Sequence, residues 1–180
     1  PVFVYTNYPA AELFINGKSY GKQSKNNSSL KSRYRLMWMD AIYEPGEVKV
    51  VAYDKDGKAV AEKVVRTAGK PHHIELVSNR NELTADGKDL AYVTVKVVDK
   101  DGNLCPTDNR QINFSVKGTG KYRAAANGDP TNLEQFHLPK MHAFNGMLTA
   151  ILQAGETAGE IVFTAKANGV KAGNIRIQTK

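Results

Sequence analysis

Two copies of DKDG, Asp54–Gly57 and Asp99–Gly102, are the first residues whose types and spacing suggest chemistry. Each could open an acidic calcium loop or turn the chain between two strands. A helix-loop-helix calcium site needs acids at positions 1, 3 and 5, glycine at 6 and a bidentate glutamate at 12. Here glycine stands fourth in both copies, and the twelfth residues are Val65 and Arg110. The flanks alternate with period two, as in VTVKVV, where Val93, Val95 and Val97 share one face. Each DKDG is therefore read as a hairpin turn, with glycine accepting positive φ without steric cost.

The remaining reactive residue types are sparse. Cys105 is the single cysteine, so no internal disulfide forms, and nothing near it in sequence would lower its thiol pKa. Glu44 and Glu47 flank a turn, whereas glycosidic carboxylates must face each other across a cleft. His72 and His73 are adjacent, and on a strand they would point to opposite faces. His137 and His142, with Glu134 and Asp129 upstream, offer donors of zinc or calcium type. No helical or hairpin spacing brings those four together, so no metal and no cofactor is expected. Trp38 alternates with Leu36 on an apolar face, which assigns it to a core and not to an exposed sugar platform.

One polar stretch is left, residues 120–145, GKYRAAANGDPTNLEQFHLPKMHAFN. It lacks strand alternation, and long irregular loops in compact domains are uncommon and often functional. Tyr122 would supply an aromatic face, and Asn127, Asp129, Asn132 and Glu134 the groups that bind hydroxyls. These five are the candidate carbohydrate contacts. In the rival reading, NGDP caps a strand end and the loop packs on protein.

The elements around these residues read almost entirely as strands. VFVYTN, AELFINGKSYG with an Asn16-Gly17 turn, RYRLMWMDAIY, EVKVVAY and KAVAEKVV come first. Ala68-Gly69-Lys70-Pro71 then interrupts the pattern like a short hinge. HIELVS, LAYVTVKVVD, RQINFSVKG, GMLTAILQA, GEIVFTAKA and NIRIQTK follow. Short strands with regular turn signals predict an all-β protein of two tandem immunoglobulin-like β-sandwich domains. Their limits are 1–68 and 69–180, the second carrying a long loop at about 120–145.

The chain begins Pro-Val and has no leader, so a piece of a longer protein is expected. No apolar run approaches the ~18 residues of a membrane-spanning helix. Net charge is +7, partly from Lys18, Lys22, Lys25, Lys31, Arg33 and Arg35. No nucleic-acid-binding motif accompanies that basic stretch, so it is read as a solvated surface.

Several strings together resemble family 2 glycoside hydrolases of the bacterial β-galactosidase type. VYTNYPAAELFINGKSYG, MWMDAIYEPGEVKVVAYDKDGKAVA and TAGKP are similar to the β-sandwich after the barrel in those enzymes. LTADGKDLAYVTVKVVDKDGNLCP, NGDPTN and HAFNG are similar to the next domain, itself like the bacterial immunoglobulin-like modules of invasin-type adhesins. The resemblance implies a non-catalytic C-terminal fragment of a periplasmic, secreted or cell-surface enzyme. Its partner would be the catalytic TIM barrel of the same parent chain, where two glutamates act. No glutamate here matches that motif, so no catalytic residue is assigned. The alternatives are a carbohydrate-binding module with glycans as partners, and an immunoglobulin-like stalk of a cell-surface adhesin.

Overall fold

The computed structural model describes residues 1–180, which form fifteen strands and no helix. The chain divides into two compact units, Pro1–Thr67 and Ala68–Lys180.

In the first unit, β1 (Val2–Tyr5) pairs antiparallel with β4 (Arg35–Trp38) as a two-stranded ribbon. A four-stranded sheet carries β2 (Ala10–Ile15), β3 (Lys18–Ser24), β5 (Glu47–Tyr53) and β6 (Ala59–Arg66) in the order β3-β2-β5-β6. Alternation along β2 and β4 sends Ala11, Leu13 and Ile15 inward to meet Leu36 and Trp38, with Val2, Val4, Val48 and Val50 packed around them. Trp38 is 1 % exposed, and its indole Nε1–H donates to the Gly21 carbonyl at 3.0 Å, so the large apolar ring is buried with its one polar atom paired. Asn16 and Gly17 both take positive φ (50° and 80°), the two-residue turn expected between β2 and β3.

In the second unit, β7 (His73–Ser78), β9 (Leu90–Val98), β11 (Gly120–Ala126) and β13 (Met147–Ala154) make one sheet, in the order β11-β13-β9-β7. The other holds β8 (Glu82–Leu83), β10 (Gln111–Gly118), β12 (Lys140–His142), β14 (Gly159–Lys166) and β15 (Gly173–Thr179), in the order β12-β10-β14-β15-β8. The order matches an immunoglobulin sandwich, the ABED sheet being β7, β9, β13 and β11 and the CFG sheet β10, β14 and β15. Val93, Val95 and Val97 from one sheet and Ile112, Ile161 and Phe163 from the other lie in one core. Each contributes about 1.5–3 kcal/mol on burial.

Both DKDG segments are turns held by their first aspartate. Asp54 Oδ1 accepts the Asp56 and Lys58 amides, and Asp99 Oδ1 those of Asp101 and Asn103, with Gly57 and Gly102 at positive φ. The first joins the paired strands β5 and β6. The second, expected as an equivalent hairpin, closes only the bridge Val98↔Leu104, because β10 leaves for the opposite sheet to pair with β14.

Two further expectations are corrected. The stretch 120–145 is not one loop: β11 occupies its start and β12 its end. A register shift between Tyr122 and Ala124 makes Arg123 an extra residue, which breaks the period-two alternation by which β11 would have been read. His72 and His73 do not point apart. His72 precedes β7, and the two rings meet edge-on with Nδ1 atoms 3.0 Å apart.

Candidate functional site

The connection from β11 to β12, residues 127–139, is built from side chains that bond to backbone two residues on. Asn127 Oδ1 accepts the Asp129 amide (3.1 Å), Asp129 Oδ1 the Thr131 amide (2.8 Å), and Asn132 Oδ1 the Glu134 amide (2.9 Å). Asn and Asp favour such turns because their short side chains mimic a backbone carbonyl. The Thr131 hydroxyl also donates to Asp129 Oδ1 at 2.7 Å.

Glu134 ties this loop to β12. Its Oε2 accepts the His142 amide at 3.0 Å, and its Oε1 lies 2.9 Å from His142 Nδ1. Asn127 Nδ2 adds a bond to the His142 carbonyl at 3.0 Å. Burial alone would raise the Glu134 carboxyl, but the bonds from His142 outweigh it and hold the group below its ordinary range. The Thr131 hydroxyl and amide hold Asp129 low as well.

The result is an open cleft of about 550 Å³ lined by Asn127, Asp129, Asn132 and Glu134, together with His142 and Phe144. Four of the five expected contacts are thus brought together. Tyr122 is not with them. Its ring stacks on Phe114 (centroids 5.6 Å apart), and its hydroxyl contacts the Leu138 and Phe136 carbonyls at 2.8 and 3.0 Å. Burial pushes its phenol up to about 12. It braces the far end of the loop, half-buried, with one ring face against Phe114.

Of the four possible metal donors, only Glu134 and His142 meet, and no group of three or more His, Cys, Asp or Glu side chains assembles there or elsewhere. Sequence reading overlooked the joining of His142 to Glu134 because β12 is only three residues long and shows no periodicity. Asn109, also on the cleft, arrives from a distant segment without any local signal.

Residues 74–176 match the family model for glycoside hydrolase family 2 C-terminal domain 5. The chain belongs to this family. Residues 1–61 match a domain of unknown function, DUF4982. A beta-galactosidase of Bacteroides ovatus is 40% identical over 98% of this chain, which covers 20% of that protein. A beta-galactosidase of Thermoanaerobacter pseudethanolicus is 30% identical over 99% of the chain and 24% of its own length. The chain therefore spans about a fifth to a quarter of the length of these two relatives. Among solved structures, a beta-glycosidase from Bacteroides vulgatus superposes with a TM-score of 0.89 at 28% identity, over 98% of this chain and 22% of that one. A glycosyl hydrolase family 2 member from Bacteroides cellulosilyticus gives 0.87 at 31%, over 99% and 22%. Within the family 2 C-terminal domain, the NGDPTN string is the run of turns just described, and the Asn145-Gly146 of HAFNG is a positive-φ turn that leads into β13.

Proposed function

We propose that this chain is an accessory, non-catalytic region of a β-galactosidase-type family 2 glycoside hydrolase. It supports the catalytic barrel of the longer protein and makes contacts between domains or subunits. The parent hydrolyses terminal β-glycosides, β-galactosides first among them, and works in the periplasm or outside the cell. One observation carries this reading: 40% identity over nearly the whole chain to a beta-galactosidase of which the chain covers a fifth.

The chemistry of the cleft agrees. A retaining glycosidase needs two carboxyls about 5–5.5 Å apart, one of them with a raised pKa. Asp129 and Glu134 are both held low, and Asp129 Oδ1 and both Glu134 oxygens are engaged in ordering the loop.

The test compares the longer protein, with and without residues 68–180, and the chain alone on a nitrophenyl β-galactoside. The chain alone should show no turnover. The shortened enzyme should keep its barrel chemistry but melt earlier or lose its assembly state. Turnover by the chain alone, or a parent gene without a barrel, would overturn the proposal. Fractionation of the native host locates the enzyme: cytoplasmic activity counts against the export reading.

A second reading has the cleft itself hold a galactoside, since Asn127, Asp129, Asn132 and Glu134 share it and Asp129 Oδ2 takes no protein bond. Calorimetry with galacto-oligosaccharides tests it. A Kd at or below about 1 mM, lost in Asp129→Ala, supports it; silence from a folded sample removes it.

A further inference from the structure

The β1–β4 ribbon carries a second cluster, remote in sequence from the loop already described. In its register, Tyr5 stands opposite Arg35 and Phe3 opposite Met37. Alternation sends Val2, Val4, Leu36 and Trp38 into the core, so Phe3, Tyr5 and Arg35 face outward. Tyr5 is 69% exposed and Tyr34, just before β4, is 66% exposed. With Thr6, Asn7 and Lys25 they line a cleft of about 420 Å³. That volume lies within the range of small-ligand sites, about 300–1,000 Å³.

Lys25, Lys31, Arg33 and Arg35 surround this cleft in sequence, and none takes part in any of the chain's seven ion pairs. The segment that carries them is nevertheless ordered. Arg33 Nε donates to the Asn27 carbonyl and Arg35 Nε to the Lys31 carbonyl, each at 3.0 Å, and Lys25 Nζ donates to the Thr6 carbonyl. Using Nε in this way leaves the outer edge of the Arg33 guanidinium free, a fork that matches a carboxylate or sulfate bidentately, while Arg35 Nη1 donates to the Tyr5 hydroxyl at 3.5 Å. The Arg33 guanidinium lies 5.8 Å from the Tyr34 ring centre and that of Arg35 lies 5.7 Å from Phe3. Cation–π contact of this kind seats the charges beside aromatic faces. These four like charges fall within residues 25–35 and none is ion-paired, and an anionic ligand relieves the repulsion that such a run of charge creates.

We propose that the outer face of the β1–β4 ribbon binds an acidic oligosaccharide, one bearing carboxylates or sulfates. Tyr5 and Tyr34 supply surfaces for sugar rings. Lys25, Lys31, Arg33 and Arg35 supply the cationic groups for the acids. The anionic half of this ligand comes from the unpaired cations. The sugar half rests on the glycoside hydrolase reading, because a single nucleic-acid strand also combines charge with rings that stack.

Calorimetry on the 180-residue chain with a heparin-derived hexasaccharide and an oligogalacturonate tests the site, with a neutral galacto-oligosaccharide and a short oligothymidylate as comparators. The acidic sugars should bind with Kd below about 1 mM. Affinity should fall at least ~10-fold in Tyr5→Ala, in Tyr34→Ala and in the Arg33→Gln/Arg35→Gln double variant. It should also weaken as salt rises from about 50 to 300 mM, while the neutral sugar leaves this face empty. Circular dichroism and the thermal midpoint show that each variant is folded. No binding by the folded chain overturns the proposal, as does binding that the tyrosine variants leave unchanged or an oligothymidylate that binds tighter than either sugar. Nitrophenyl β-galactoside turnover by the longer protein decides the hydrolase reading separately, so either can fail while the other stands.

Discussion

Asp99 accepts the amides of Gly69, Asp101 and Asn103 and the side-chain amide of Asn103, all within 3.0 Å. The Gly69 amide first, and the Asn103 side chain next, hold its carboxyl far below the usual range. A carboxylate whose pKa falls on folding stabilises the fold at pH values above its unfolded pKa, about 3.9. That contribution fades as pH drops below this value toward the folded pKa. Asp99→Asn should therefore lower the thermal midpoint at pH 7, and the gap from wild type should close below about pH 4. Melting curves from pH 2 to 7 check this, and a constant gap would refute it. Trp38 tests the other unit. Trp38→Phe removes the Nε1 bond to Gly21 and part of the ring, an expected loss of about 1–3 kcal/mol in urea unfolding. Trp38→Ala should cost about 3–5 kcal/mol. Both roles were partly legible: alternation alone put Trp38 in the core. The first bond to Asp99, from Gly69 thirty positions away, was not, because nothing local encodes it.

At the scale of elements, alternation and turn residues specified most strands, and the misses have physical causes. β11 combines a bulge with a run of three alanines, whose β-propensity is low, so neither period nor composition marks it. The candidate loop was legible in part, because some of its bonds run between residues two apart and keep Asn127 near Asp129 and Asn132 near Glu134, while the bonds to His142 and the packing of Tyr122 on Phe114 join distant positions. The Tyr5–Tyr34 face was illegible, since the β1–β4 register joins segments thirty residues apart. Glu134 is the clasp of the loop. Glu134→Ala should raise hydrogen exchange at the His142 amide and protease cleavage within 127–139, while the midpoint of the core changes little. Unchanged protection at His142 would show that the loop is ordered by other contacts. Gly118 controls the crossing from β10 to β11. It sits at φ 91°, and a Cβ there would fall 1.9 Å from the Glu160 carbonyl oxygen. Gly118→Ala should therefore destabilise by about 1–3 kcal/mol or more in urea.

For the whole molecule, the decisive feature is that each unit has its own core and the two are unequal. The core cluster of the first has six buried residues, Ala11, Leu13, Ile15, Leu36, Trp38 and Ala41. The second closes a full sandwich around residues from Ile74 to Ile177. A domain of about 60 residues buries only ~60% of the surface its unfolded chain exposes, and is correspondingly marginal. Ala68–Lys180 expressed alone should therefore melt in one cooperative transition by calorimetry, with calorimetric and van't Hoff enthalpies equal. Pro1–Thr67 alone should melt lower and over a broader range. A non-cooperative Ala68–Lys180 would mean that the sandwich depends on residues outside it. The inequality bears on function as well. The smaller unit carries the exposed Tyr5 and Tyr34 with the Arg33 guanidinium beside Tyr34, whereas the larger unit spends its polar loop on internal bonds. A unit with a thin core and much exposed apolar and cationic surface gains most from a partner that covers it. The binding partners proposed here, a domain of the parent enzyme and an acidic sugar, should therefore raise the lower of the two melting transitions and leave the upper one in place.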